Sequence, residues 1–156
     1  MAYQKLQAGK AWAVNPSDNT NIPDTSLVGP TGTSTSGSAT KLIDAAATFK
    51  TSGVKKGMII VNTSDSTQTT VASVDSETEL FVDDNIFSVS GKNYAIYGGV
   101  QNGAVLYVGT AGNLRVLTAA GDDVIFVNIN TGAFIPVQVI KVFATSTTAS
   151  NILALW

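Results

Sequence analysis

The chain contains no histidine and no cysteine among its 156 residues. Histidine is the usual general base near neutral pH, and histidine and cysteine together supply most zinc ligands and most activated nucleophile pairs in enzymes. Their absence excludes Ser-His-Asp and Cys-His catalysis, disulfide bonds and cysteine-ligated zinc. It gives no information about the redox compartment in which the protein works.

Charge is also scarce, because Asp, Glu, Lys and Arg make up 13% of the chain, about half the usual share for a soluble domain. The net charge is −2, and the basic residues are scattered apart from the neighbours Lys55 and Lys56. No basic stripe is available to follow a phosphate backbone, so we predict no nucleic-acid partner. A weakly charged surface is instead compatible with packing against neighbouring subunits.

No apolar segment approaches the length of a membrane span or of a signal peptide, so we predict no membrane partner and synthesis in the host cytoplasm. The remaining candidates for chemistry are carboxylates. They occur in three close pairs, which are Asp83 with Asp84, Asp122 with Asp123, and Glu77 with Glu79. Aspartate is a common turn residue, and we interpret these pairs as solvated turn and edge charges. We therefore predict that the protein is not an enzyme.

Calcium is the only metal that these side chains could hold, through residues 83–85 or through the turn at Asp122 and Asp123. The spacing of an EF-hand loop is absent. We predict no metal site and no cofactor.

The composition divides the chain into three zones. Three of the four prolines lie in residues 1–40, where they oppose both helix and sheet interior, and we predict an extended N-terminal arm and linker there. Residues 41–98 carry short strand patterns separated by Asp, Ser, Asn and Gly, which are typical of a small β-barrel-like module. The strand and turn patterns of residues 99–156 predict a C-terminal β-sandwich domain. The predicted fold class is all-β.

Individual strands follow from runs of β-branched and aromatic residues between turn signals. In the second zone the strands are predicted at 58–62, 69–74, 79–82 and 94–97, with a turn of helix in 42–49 and another after 83–85. In the third zone they are predicted at 105–108, 114–117, 124–129, 137–143 and 152–155. Pro136 should begin its strand or lie at an edge.

Residues 124–127, Val-Ile-Phe-Val, are apolar on both faces of their strand. A sheet with one face in water would not tolerate this pattern. The segment should therefore lie inside a sandwich or beneath another subunit.

Several large apolar residues of the arm are costly to leave in water. We expect them either to fold back on their own domain or to dock on a neighbouring subunit, and the sequence leaves both alternatives open. The candidate interface residues are Tyr3, Leu6, Trp12, Val14, Ile22, Val124, Phe126 and Trp156.

In the third zone, residues 106–116, 123–128, 132–139 and 144–156 follow one another in an order that resembles a family of tailed-phage virion proteins. In the second zone, residues 44–49, 53–54, 57–62 and 70–74 are similar to a small β module of phage structural proteins. The family includes the spike base proteins of gene transfer agent heads and small capsid-decorating proteins. The resemblance implies a homo-oligomer on the exterior of the virion that either cements the capsid or forms the base of a head spike or fibre. Its implied partners are the major capsid protein, further copies of itself, and a spike or fibre protein.

An alternative function is a receptor- or carbohydrate-binding module of a tail fibre. In that case exposed aromatic rings would stack on sugars. The candidate rings are Trp12, Tyr94, Tyr97 and Trp156.

Overall fold

A computed structural model of the chain describes residues 8–24, 28–98 and 103–156. These residues form twelve β-strands and no helix, so the prediction of an all-β, barrel- or sandwich-like fold is confirmed. The two predicted helical turns, in 42–49 and after 83–85, are wrong. No helix long and apolar enough to cross a membrane occurs in the described ranges.

The strands belong to two compact units, each with its own six-stranded antiparallel sheet. The middle unit comprises the described residues from Pro23 to Gly98. The C-terminal unit comprises the described residues up to Ile22 together with those from Gly103 onward. This division differs from the predicted one at 1–40, 41–98 and 99–156, because the N-terminal zone is shared between the two units.

The middle unit has the strand order β2-β7-β4-β5-β6-β3. Its strands are β2 Val28–Thr33, β3 Lys41–Ile43, β4 Ile59–Asn62, β5 Thr67–Val74, β6 Glu79–Val82 and β7 Asn93–Tyr97. The core of this unit includes Leu42, Phe49, Ile60, Val71, Leu80, Phe87 and Ile96. Strand β3 replaces the helical turn predicted in 42–49, because Leu42 points into this core and Lys41 pairs with Phe81 of β6.

Residues 28–33 were predicted as part of a linker, and the structure shows them as strand β2. The strand pairs with β7 and lies at the edge of its sheet. Pro30 falls where the register shifts between Val28 and Thr31. An edge strand with an irregular ladder accepts a residue that has no N–H to donate, which explains why proline does not break this strand.

The C-terminal unit has the strand order β1-β12-β8-β11-β9-β10. Its strands are β1 Ala11–Ala13, β8 Ala104–Thr110, β9 Gly112–Thr118, β10 Asp123–Ile129, β11 Ala133–Val142 and β12 Ser150–Leu155. All five strands predicted in the third zone are present. Four have wider bounds than predicted, and β11 begins four residues earlier and ends one residue earlier than predicted. Pro136 lies within β11 and does not begin it, at a register shift between Ile135 and Val139 that removes the need for its missing N–H.

The arm folds back on its own unit. Strand β1 pairs with β12, the Val14 amide donates to the Ile152 carbonyl (2.9 Å), and the Ile22 amide donates to the Ile140 carbonyl (2.8 Å). The side chain of Ile22 is buried in the core formed by residues such as Leu106. These contacts satisfy backbone and apolar groups that would otherwise face water.

We predict that Ile22→Ala lowers the free energy of unfolding of the C-terminal unit by roughly 2–4 kcal/mol, because it leaves a cavity in a core built mainly by residues far away in sequence. Trp12 and Trp156, the two tryptophans of the chain, both lie in this unit, so tryptophan fluorescence during urea unfolding reports on it. Leu42→Ala in the middle unit is the matched control and should leave that transition in place. An unchanged midpoint for Ile22→Ala would contradict the observed packing of the arm.

Candidate functional site

Strand β10 lies at the edge of the C-terminal sheet, paired with β9 on one side. Val124 is 40% exposed, Ile125 49% and Val127 64%. The prediction that this segment lies inside a sandwich of its own chain is therefore wrong. The other alternative, that another subunit covers it, stays a prediction.

A tight turn fixes the register of β10 on β9. The Thr118 amide donates to the Asp122 carbonyl (2.9 Å), and the Gly121 amide donates to the Thr118 carbonyl (3.0 Å). Gly121 has φ of 95°, a value that a residue without a Cβ adopts at little cost. The turn sets Asp123 opposite Leu117, and Ile125 opposite Arg115.

The backbone N–H and C=O groups of β10 point alternately toward β9 and toward the open edge of the sheet. In β9 the odd-numbered residues face away from β10, since the Phe143 amide donates to the Arg115 carbonyl and the Thr148 amide donates to the Asn113 carbonyl. The even-numbered residues of β9 therefore face β10, as the bond between Thr118 and Asp122 shows. In an antiparallel ladder the bonded residues alternate along each strand.

It follows that Val124 and Phe126 direct their N–H and C=O groups toward β9. Asp123, Ile125 and Val127 direct theirs outward, and the described residues supply no partner for these groups. This open ladder is a template on which another strand can pair.

The side chains of β10 also divide between two faces. Phe126 packs against the core of the unit, and Val124 shares its face. Ile125 and Asp123 lie on the outer face, where both Asp123 carboxylate oxygens accept hydrogen bonds from Arg115 (2.9 and 2.7 Å). These bonds hold the pKa of Asp123 below its ordinary value and raise the pKa of Arg115. The strand's one charged side chain is therefore already paired within its own sheet.

Apolar exposure continues across the outer face of the sheet. Phe134 is 61% exposed and its ring contacts that of Tyr107 with centroids 5.3 Å apart. Leu153, opposite Tyr107 on β12, is only partly buried. Several strands of this unit thus present apolar residues on both faces, whereas a solvated face is normally polar.

The regular part of β10 ends after Val127. The register shifts between Phe126 and Ile129, and Asn128 has φ of 54°. Its amide donates to Oδ1 of Asn113 (3.0 Å), which fixes this irregularity in place. The segment available for pairing is therefore 123–127.

The eight predicted interface residues have different environments. Ile22 is buried, while Val14, Phe126 and Trp156 are partly buried against their own core. Trp12 is partly exposed and Val124 is exposed. Tyr3 and Leu6 lie outside the described residues.

Sequence reasoning did not select Ile125, Val127 and Phe134, the most exposed large apolar residues of the C-terminal unit. For Ile125 and Val127 the signal was present in the run 124–127, which is apolar at every position. Phe134 lies outside that run, in β11. What the pattern could not show is that the strand lies at an edge.

The middle unit contains an open cleft of about 560 Å³, which is a second candidate site. Its polar centre is Asp44, which is buried and accepts hydrogen bonds from the Tyr94 hydroxyl (2.7 Å) and the Ala46 amide (2.9 Å). Burial and the bond to Asp44 raise the pKa of Tyr94. A Cβ at Gly32 would lie 2.5 Å from the Asp44 carboxylate, so strand β2 closes tightly over this pair. These contacts hold β2, β7 and the loop after β3 together, which is a structural role.

The paired carboxylates do not converge on a reaction centre. Glu77 accepts from the Thr51 amide and hydroxyl, and Glu79 pairs with Lys41 at 2.8 Å. Asp84 accepts from the Thr69 hydroxyl at 3.2 Å. Within the described ranges, no group of three His, Cys, Asp or Glu residues could hold a metal ion.

Comparisons of the chain with protein-family models, with curated proteins and with solved structures find no match. The exposed edge of β10 is therefore interpreted from its own geometry.

We predict that Tyr94→Phe lowers the free energy of unfolding of the middle unit by about 1–3 kcal/mol, because it removes the hydroxyl that donates to Oδ2 of the buried Asp44 carboxylate and leaves it the Ala46 amide on Oδ1. Far-UV circular dichroism in urea measures the loss, and Tyr107→Phe in the C-terminal unit is the control. Equal stabilities of the two variants would show that the hydrogen bond between Tyr94 and Asp44 contributes nothing to the free energy of unfolding.

Burial of the Tyr94 hydroxyl, together with its bond to Asp44, also predicts a pH dependence. The pKa of Tyr94 is raised in the folded state, so its stabilising contribution is complete below the ordinary tyrosine value of 10.0 and is lost as the pH rises above it. The difference in stability between the unaltered protein and Tyr94→Phe should therefore shrink between pH 9 and roughly pH 11. A difference that grows over this range would contradict the sign of the shift.

Proposed function

We propose that this protein is a non-enzymatic structural component of a tailed-phage virion, which assembles through the β10 edge on the exterior of the head. Its role there is to decorate or cement the capsid, or to form the base of a head spike or fibre. The observation that carries the proposal is the exposed, apolar and unpaired edge at residues 123–127.

The four sheet edges formed by the described residues are not equivalent. Strands β1 and β3 are only three residues long, and β2 contains Pro30. Short strands and prolines are the devices by which monomeric β proteins block pairing with other chains. Strand β10 has seven residues, no proline and no lysine. This edge, which lacks both devices, also carries three exposed large apolar side chains, Val124, Ile125 and Val127, which supports a role in assembly.

The location of the resemblance supports the virion assignment. Its segments fall in strands β8 to β12, the same strands that build the sheet ending in β10. The partners that the resemblance implies are the major capsid protein, further copies of this chain, and a spike or fibre protein. The arm adds the short strand β1 at one edge of the C-terminal sheet, and β10 forms the opposite edge. We propose β10 as the edge that those partners bind.

The alternative, a carbohydrate-binding module of a tail fibre, has less support from the geometry. Stacking on a sugar needs an exposed ring face. Tyr94 and Tyr97 are buried in the middle unit, and Trp156 packs against its own core. A glycan array in which the protein binds a defined sugar would nevertheless favour this alternative over assembly.

The proposal is tested by locating the protein on phage particles. Cryo-EM of tailed-phage virions that carry this chain should show it outside the capsid shell at regular, stoichiometric positions. Absence of the protein from purified virions, or a position inside the shell, would contradict the proposal.

Blocking the edge should reduce occupancy on the head. We predict that Ile125→Lys combined with Val127→Lys lowers the number of copies retained per head at least tenfold, because lysine on an edge strand opposes pairing. Val89→Lys is the matched control, since Val89 is 53% exposed in the middle unit and lies outside any strand. Quantitative mass spectrometry of reconstituted heads gives the copy numbers. Equal loss of copies for both variants would show that the β10 edge has no specific role in binding to the head.

A further inference from the structure

We infer that the partner of β10 is β10 of a second copy, paired antiparallel about a two-fold axis at Ile125. This inference rests on the proposed function, because it names the occupant of the same edge. A closed dimer of this kind presents the same surface from both copies, which is the commonest symmetry among homo-oligomers.

The register follows from the outward-facing backbone groups. With the axis at Ile125, this residue pairs with Ile125 of the second copy, and Asp123 pairs with Val127 of the second copy. These are the residues whose N–H and C=O groups point outward, and each bonded pair in an antiparallel ladder exchanges two hydrogen bonds. All the outward groups of segment 123–127 are then satisfied.

Neighbouring registers leave groups unpaired or oppose like charges. An axis at Val124 sets Val127 against the turn glycine Gly121, and an axis at Phe126 sets Asp123 against the irregular end of the strand at Ile129. An axis at Asp123 brings two carboxylates directly opposite each other, which is destabilising. The axis at Ile125 is the register that avoids these costs.

Charge and side-chain pattern favour a second copy as the occupant. The strand carries one charge, Asp123, at one end. Antiparallel pairing about Ile125 separates the two Asp123 residues by about 13 Å, four residues along a strand. The same pairing sets Val124 beside Phe126 of the second copy on one face, and the two Ile125 side chains beside each other on the other face. The edge is thus complementary to itself in charge, in apolar character and in backbone geometry.

Disulfide trapping tests the register directly, because the natural chain contains no cysteine. Ile125→Cys should form a disulfide-linked dimer under mild oxidation, since bonded residues in an antiparallel pair have Cα atoms about 5.5 Å apart, within the range of a disulfide. Val127→Cys should not, because the two Val127 positions are about 13 Å apart. Val127 is the more exposed residue, so random collision would favour the opposite result.

A mixture of the variants Asp123→Cys and Val127→Cys should yield the mixed disulfide, because these two positions oppose each other in the inferred register. Non-reducing electrophoresis and mass spectrometry identify the product. Cross-linking of Val127→Cys alone, or equal cross-linking of all variants, would overturn the inference. Tryptophan fluorescence establishes that each variant retains the fold of the C-terminal unit, in which both tryptophans lie.

Sedimentation equilibrium of the unaltered protein gives a second measurement that needs no variant. A mass that rises toward twice 16.1 kDa with concentration supports the inference. A mass of one chain at every concentration overturns it, and a strand of another protein then remains as the proposed occupant of the edge. In that case the position of the protein on the virion still decides the proposed function, so the failures of the two proposals are distinguishable.

Discussion

Hydrogen bonding between antiparallel strands is the constraint on which this structure depends. The chain has no disulfide bond, and its described residues form no helix, so a strand satisfies its backbone groups mainly by lying beside another strand. Both units meet this requirement with one six-stranded sheet each. The same requirement brings the arm back from the N-terminus to β12, where it adds a strand and places Ile22 in the core. At the four edge strands, of which β10 is the longest, the requirement is met on one side only.

Much of the fold could be predicted from the sequence because strand periodicity and turn chemistry are local. Apolar runs between Gly, Asn and Asp predicted all five strands of the third zone and four of the second. The errors have a common physical origin. Pro30 and Pro136 suggested strand boundaries or a linker, but each lies at a register shift where the ladder needs no N–H from it. The run beginning at Leu42 suggested a helical turn. Its first residues form strand β3 instead, because Leu42 is buried where β3 pairs with β6.

The candidate site was predictable only in part. The sequence of residues 124–127 shows that both faces are apolar, and this correctly indicated an unusual strand. Whether such a strand lies at the centre or at the edge of a sheet depends on the strand order, which brings β11 between β8 and β9 and leaves β10 outermost. The arm illustrates the converse. Val14 and Ile22 were equally compatible with docking on a neighbour or on their own unit, and long-range pairing with β12 and β11 decides between the two.

Amide hydrogen exchange along β10 tests the central claim, pairing of two copies of the chain through this edge, most directly. The amides of Val124 and Phe126 face β9 and should be protected at every protein concentration, whereas those of Ile125 and Val127 face outward. If copies of the chain pair through β10, NMR should show the Ile125 and Val127 amides exchanging rapidly in dilute protein and slowly in concentrated protein. Rapid exchange of these two amides at every concentration, with Val124 and Phe126 protected throughout, would contradict the account.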